Sequence, residues 1–110
     1  MEKNKLLNFL GICKKSGKIS FGFESCLDTV KKNKSFLVLF ANDLSERTLK
    51  KFNEESENFD VEKINLNLKI EDFYTILKRN VGIISINDKT LAQKVKKLHS
   101  ELKEDTILWW

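Results

Sequence analysis

A chain of 110 residues, 41% of them hydrophobic, is long enough to bury one core and too apolar for general disorder. It holds no proline and four glycines, so no flexible linker divides it, and a single domain over residues 1–110 is expected. The net charge of +4 is unevenly spread. Residues 1–34 hold eight lysines against Glu2, Glu24 and Asp28, residues 35–75 hold five basic against nine acidic residues, and residues 76–110 hold seven against four. A face on which both basic ends meet would attract an anionic partner. Lysines that only solubilise the surface are the competing reading.

The first element is a helix over residues 3–15, where Leu6, Phe9, Leu10 and Cys13 recur at helical spacing. Lys14 and Lys15 fall in its last turn, where they complement the macrodipole, and Gly17 is a C-terminal stop. Residues 18–21 alternate polar and apolar, as a short strand does, until Gly22 breaks them. Residues 23–32 return to helical spacing through Phe23, Cys26, Leu27 and Val30. The uninterrupted apolar run over residues 36–41 predicts a strand buried on both faces. Asp43-Leu-Ser-Glu46 has capping-box spacing, with Asp43 at the N-cap and Glu46 at N3. The helix it opens carries Leu44, Thr48, Leu49 and Phe52 and ends in the acidic stretch over residues 54–60. Residues 61–66 alternate as a strand. Ile70, Phe73, Tyr74 and Leu77 form a helical stripe, and residues 81–86 read as a second buried strand. The last helix, entered at Asn87-Asp88, carries Leu91, Val95, Leu98 and Leu102. Strands alternating with helices predict an α/β fold, a three-layer α/β/α sandwich around a mostly four-stranded mixed sheet.

Little in the chain points to catalysis. Gly11, Gly17 and Gly22 are too far apart for a dinucleotide fingerprint, and no Gly-Lys-Ser/Thr loop exists. One histidine, His99 beside the last apolar stripe, and two separated cysteines make no metal constellation. Asp43, at the end of a buried strand, is favoured as a helix cap over a phosphoacceptor. Cys13 and Cys26 lie on apolar stripes and are expected as buried, unbonded thiols. No secretory signal is recognised and no apolar stretch approaches the roughly 20 residues of a membrane span. A cytoplasmic, non-enzymatic protein without cofactor, metal or membrane partner is therefore expected.

The segment Lys14-Lys-Ser-Gly-Lys-Ile-Ser-Phe-Gly-Phe-Glu-Ser is the informative one. It brings lysines and small residues to the start of a helix, whose unpaired N–H groups attract phosphate. An ordinary β–α turn with a solvated lysine face fits the residues equally well.

Three stretches together carry a resemblance. Leu6-Leu-Asn-Phe-Leu-Gly-Ile-Cys-Lys-Lys-Ser-Gly-Lys-Ile-Ser-Phe-Gly-Phe-Glu-Ser resembles the start of the bacterial YlxQ-type members of the kink-turn RNA-binding ribosomal protein superfamily (L-seven-Ae type). Leu37-Val-Leu-Phe-Ala-Asn-Asp-Leu-Ser-Glu resembles the family's strand and Ala-x-Asp-x-Ser segment. Val81-Gly-Ile-Ile-Ser-Ile-Asn-Asp-Lys-Thr-Leu-Ala resembles its last strand and exit. The stretches occur in family order and span roughly residues 3–98.

The resemblance implies the same sandwich and non-catalytic binding of structured RNA, a kink-turn or related bulged motif, with ribosomal RNA among the possible partners. It implies that Gly22, Phe23, Glu24 and Ser25 stand at the turn that contacts the RNA, where the family has a Gly-x-Asn-Glu-like sequence. It also implies that Lys78, Arg79 and Asn80, with Val81, form a second RNA-facing loop. Lys14, Lys15, Lys18, Lys78 and Arg79 are expected to make one basic surface. Three positions depart from the family pattern. Glu24 keeps acceptors but lacks amide donors, Ser25 is short, and Asp28 stands where a lysine is usual. Asp28 and the terminal Trp109-Trp110 pair suggest the alternative, a protein-interaction adaptor on the same fold with a protein partner docking through the two tryptophans.

Overall fold

The computed structural model describes the backbone of residues 2–108 and the side chains of residues 4–101. Trp109 and Trp110, the expected protein contact, lie outside the described residues. The elements are α1 (Glu2–Lys15), β1 (Ile19–Phe21), α2 (Phe23–Lys31), β2 (Leu37–Phe40), α3 (Glu46–Glu55), β3 (Lys63–Asn65), α4 (Ile70–Leu77), β4 (Ile83–Ile86) and α5 (Lys89–Leu108). This is the predicted alternation, with each strand trimmed by one or two residues at its ends.

The sheet is ordered β1-β4-β2-β3. β4 runs antiparallel to both β1 and β2, while β2 and β3 are parallel, so the sheet is mixed. Strand side chains alternate between faces, and both faces are covered. Leu37, Leu39, Ala41, Ile84 and Ile86 pack with Leu6, Leu10, Phe73, Leu77 and Val95 of α1, α4 and α5. Val38, Phe40 and Ile83 pack with Cys26, Leu27, Val30 and Phe52 of α2 and α3. Burial on both sides explains why β2 and β4 read as apolar runs rather than alternating ones. The three-layer sandwich expected from the chain is the one observed.

Several local expectations are corrected. Asp43 does not cap α3. Ser45 does, its hydroxyl oxygen accepting from the Thr48 N–H at 3.2 Å. The chain leaving β2 first makes a turn, Leu44 N–H to Ala41 carbonyl, so helical geometry begins two residues later than the capping-box spacing suggests. The Asp43 carboxylate instead accepts from the Ile70 N–H at 2.9 Å, at the start of α4. Phe36 stands outside the sheet and is exposed. Tyr74, part of the helical stripe of α4, is 53% exposed, whereas Phe73 and Leu77 are fully buried. Ile76 takes the flanking position, against Gly11 of α1. At Gly82 a Cβ would stand 2.8 Å from a methyl of Leu44 and 3.3 Å from Ile70, so the close packing of these residues on β4 needs a glycine.

The one buried hydroxyl of β4 is fully used. The Ser85 hydroxyl bonds Ser35 and Asn87 at 2.7 Å each and receives Thr29 at 3.2 Å, and the Asn87 amide continues to Ser20 at 2.8 Å. Cys13 and Cys26 are buried free thiols with no disulfide between them, as expected. Burial pushes the Cys26 thiol up to about 12 and the Cys13 thiol up to about 11.

An unfolded thiol titrates near 8.5, so the unfolded chain loses these protons first as pH rises. Stability conferred by the protonated thiols is thus complete below about pH 8 and falls as pH climbs towards the folded values. Under reducing conditions the denaturant midpoint should drop between pH 8 and pH 10. The double variant Cys13→Ala/Cys26→Ala should show a shallower drop, and an equal drop in both proteins would refute this assignment.

Candidate nucleic-acid interface

Gly22 is where β1 becomes α2. Its N–H donates to the Ile83 carbonyl at 2.9 Å, which ties the strand end to β4. Its backbone lies at φ 89°, ψ 167°, a region open in practice to glycine alone. Gly22 is also the N-cap of α2 and brings no side chain to it, so no side-chain hydrogen bond closes the helix start. The first helical bond runs from the Cys26 N–H to the Gly22 carbonyl at 3.0 Å. The N–H groups of the first turn therefore face outward with the positive end of the helix dipole. Glu24 and Ser25 are exposed in that turn.

Phe23, expected at the RNA-contacting turn, packs one side of its ring into the core. Its ring meets Phe52 edge-on at 5.4 Å, and the Lys51 ammonium lies 5.6 Å from its centre. It is half-buried in the α2–α3 core and anchors the helix start from below.

The segment after α4 folds against this turn. Lys78 closes α4 in the left-handed conformation, φ 58°, ψ 31°, its N–H donating to the Tyr74 carbonyl. The Lys14 ammonium donates to the Leu77 carbonyl at 2.7 Å, satisfying one of the orphan acceptors of the helix end. The Arg79 guanidinium lies 5.2 Å from the centre of the Phe21 ring. Val81 faces Gly22, where an added Cβ would stand 3.8 Å from its methyl. Arg79 and Val81 of the 78–81 loop are thus set against the Phe21–Gly22 turn, and Lys14 fastens the residue just before that loop.

Not every predicted residue belongs to this cluster. Lys15 is exposed and shares a groove with Lys14, Ile12 and Ile76. Lys18 sits at the far end of β1, its carbonyl accepting from the Asn87 N–H at 2.9 Å. Phe21 pairs with Ile84, three residues further on, about 10 Å along the strand. The expectation that Lys18 and Arg79 flank the same end of the sheet is therefore corrected for the backbone, because the short strand β1 separates them. Asp28, the expected repulsive charge, forms an ion pair with Lys32 at 3.1 Å, with both side chains well exposed.

Two residues of this region escaped the sequence reading. Phe21 looked like the apolar end of a strand, and only the fold places Arg79 over it. Tyr74 was placed on the helical stripe of α4 and given no part in the site. It instead borders an open cleft with Glu71 and Asn80. Among the described residues, no group of His, Cys, Asp or Glu could hold a metal ion, and no helix is long and apolar enough to cross a membrane.

No protein-family model matches the chain. RNA-binding protein YlxQ of Enterococcus faecium is 30% identical over 96 residues, which cover 87% of this chain and 92% of that one. The chain belongs to the YlxQ family. The resemblance to that family is thereby borne out. Among solved structures, a protein of unknown function from Bacillus halodurans superposes with a TM-score of 0.78 at 18% identity, covering 87% of this chain and 97% of that one. The Giardia lamblia 15.5kD RNA binding protein superposes with a TM-score of 0.68 at 17% identity, covering 94% and 88%. At these identities the likeness to the two structures is one of fold.

Two backbone substitutions test this geometry. Gly22→Ala meets no steric obstacle, so its cost is conformational and should be about 1–3 kcal/mol in chemical denaturation. Lys78→Gly relieves a left-handed lysine and should stabilise by roughly 0.5–1 kcal/mol. The opposite sign at either position would mean that the backbone there is not as described.

Proposed function

We propose that the protein binds structured RNA without catalysis, at the edge formed by the start of α2 and the 78–81 loop. The observation that carries this reading is the contact of Arg79 with Phe21. It sets a cationic loop beside a helix N-terminus that no side chain caps. Outward N–H groups and a positive helix end accept a phosphate or a base-edge acceptor. Lys78, Arg79 and Lys15 are exposed and supply mobile charge. Lys14 is held by the Leu77 carbonyl, so its part is to brace the loop. The names of the Enterococcus and Giardia relatives, both RNA-binding proteins, support the same reading.

The RNA is proposed to be a bulged or internally looped element rather than plain duplex. Base edges that reach a helix start are those of an opened helix, since the deep major groove of A-form RNA is closed to side chains. A kink-turn is the family's version of such an element. Glu24 and Ser25 offer acceptors and one hydroxyl in place of an amide and a longer carboxylate, so the base pattern read here is proposed to be this chain's own. Ribosomal RNA or another ribonucleoprotein RNA in the cytoplasm is the proposed setting.

Two or three phosphates neutralised by Lys15, Lys78 and Arg79 give a log affinity against log salt slope of roughly −2 to −3 on duplex-like RNA. Arg79→Ala should weaken binding and flatten the slope by about one. Lys18→Ala, at the other end of β1, should change it less. Asp28→Lys should strengthen binding, by replacing a paired negative charge with a positive one near the helix start. The assay is a titration of a bulged hairpin and its matched duplex at several salt concentrations. Absence of binding at low salt would refute the proposal. Equal losses for Lys18→Ala and Arg79→Ala would move the interface away from the 78–81 loop.

A further inference from the structure

Tyr74 is an aromatic ring that the core does not use. On α4 the buried positions are Phe73 and Leu77, and the flank against α1 is filled by Ile76. Tyr74 is 53% exposed and points away from that flank. Its carbonyl accepts from the Lys78 N–H, which places the ring one turn before the left-handed cap. It borders a shallow cleft, widely open to solvent, with Glu71 and Asn80. Asn80, which lines it, follows Lys78 and Arg79 in the same loop.

The chemistry of the cleft is specific. The face of the ring offers a stacking platform for any flat base. The Glu71 carboxylate only accepts hydrogen bonds, and the Asn80 amide both donates and accepts. A carboxylate beside the ring repels phosphate, so a nucleotide would enter base first, with its phosphate left to Lys78 and Arg79. Only a base outside a helical stack has a face free to lie on Tyr74.

We propose that the cleft between Tyr74, Glu71 and Asn80 is a subsite for one unpaired nucleobase of the bound RNA. The base stacks on Tyr74 and Glu71 and Asn80 read its edge. Guanine fits best, because its neighbouring imino and amino donors match a carboxylate. This subsite rests on the RNA-binding reading above and extends it from the loop on to α4.

The test uses a hairpin with a two-nucleotide bulge, each bulge position replaced in turn by 2-aminopurine. Fluorescence at one position should be quenched on binding wild type and Tyr74→Phe, and should stay bright with Tyr74→Ala. Tyr74→Ala should bind the bulged hairpin roughly 5- to 150-fold more weakly, the range that loss of one base–aromatic stack implies. It should bind the matched duplex as wild type does. The substituted side chain is exposed, and an unchanged thermal melt checks that the variant folds. Equal quenching by wild type and Tyr74→Ala, or wild-type binding with no quenching at either position, would overturn the subsite and leave the RNA-binding reading standing. No wild-type binding to any of these RNAs at low salt would overturn both. A uracil bulge bound as tightly as a guanine bulge would overturn the assignment of the base.

Discussion

The hydrogen bond from the Gly22 N–H to the Ile83 carbonyl holds together the parts of the molecule that matter for its surface. It closes the β1–β4 seam at the residue where the chain must turn into α2. The turn needs a positive φ of 89°, and the same residue must leave the helix start without a side chain. Glycine meets both demands. Once this bond is made, Phe21 is fixed as the last strand residue and its ring lies under Arg79. Val81 comes against Gly22. The uncapped end of α2 and the cationic loop after α4 are thereby neighbours, although about 57 residues separate them in the chain.

The basic residues that look alike in the sequence divide into different tasks. The Lys14 ammonium is spent on the Leu77 carbonyl and fastens α1 to the end of α4. The Lys63 ammonium bonds the buried Ser56 hydroxyl at 2.8 Å and lies 6.0 Å from the centre of the Phe52 ring, and burial lowers its pKa. Lys96 pairs with Glu62 at 2.9 Å across α5 and the residues before β3. Lys78 and Arg79 stand at the edge where α2 begins. Net charge alone therefore overstates the cationic surface available to a polyanion.

The layered fold was legible because its signals are periodic. Apolar runs in β2 and β4 and helical stripes between them are enough to predict strands covered on both faces. What escaped was decided by contacts distant in the chain. Asp43 and Ser45 are both good caps, and only the turn after β2 gives α3 to Ser45 and sends Asp43 to Ile70. Tyr74 lies on an apolar stripe wider than the face α4 buries. Phe23 belongs to the predicted RNA turn by position but to the α2–α3 core by its contact with Phe52. Lys18 is close to Gly22 in sequence, yet an extended strand carries it to the end where Asn87 stands. The candidate site was thus legible as segments, and the roles of individual side chains needed the fold.

RNA is proposed to meet the protein at the Gly22 turn and the 78–81 loop. Amide chemical-shift mapping of the isotope-labelled protein, titrated with a bulged hairpin, tests it most directly. The largest shifts are expected at Gly22, Glu24, Ser25, Arg79 and Asn80, with Lys18 and Asn87 little affected. Shifts concentrated at Lys18 and Asn87, or along α3, would contradict it.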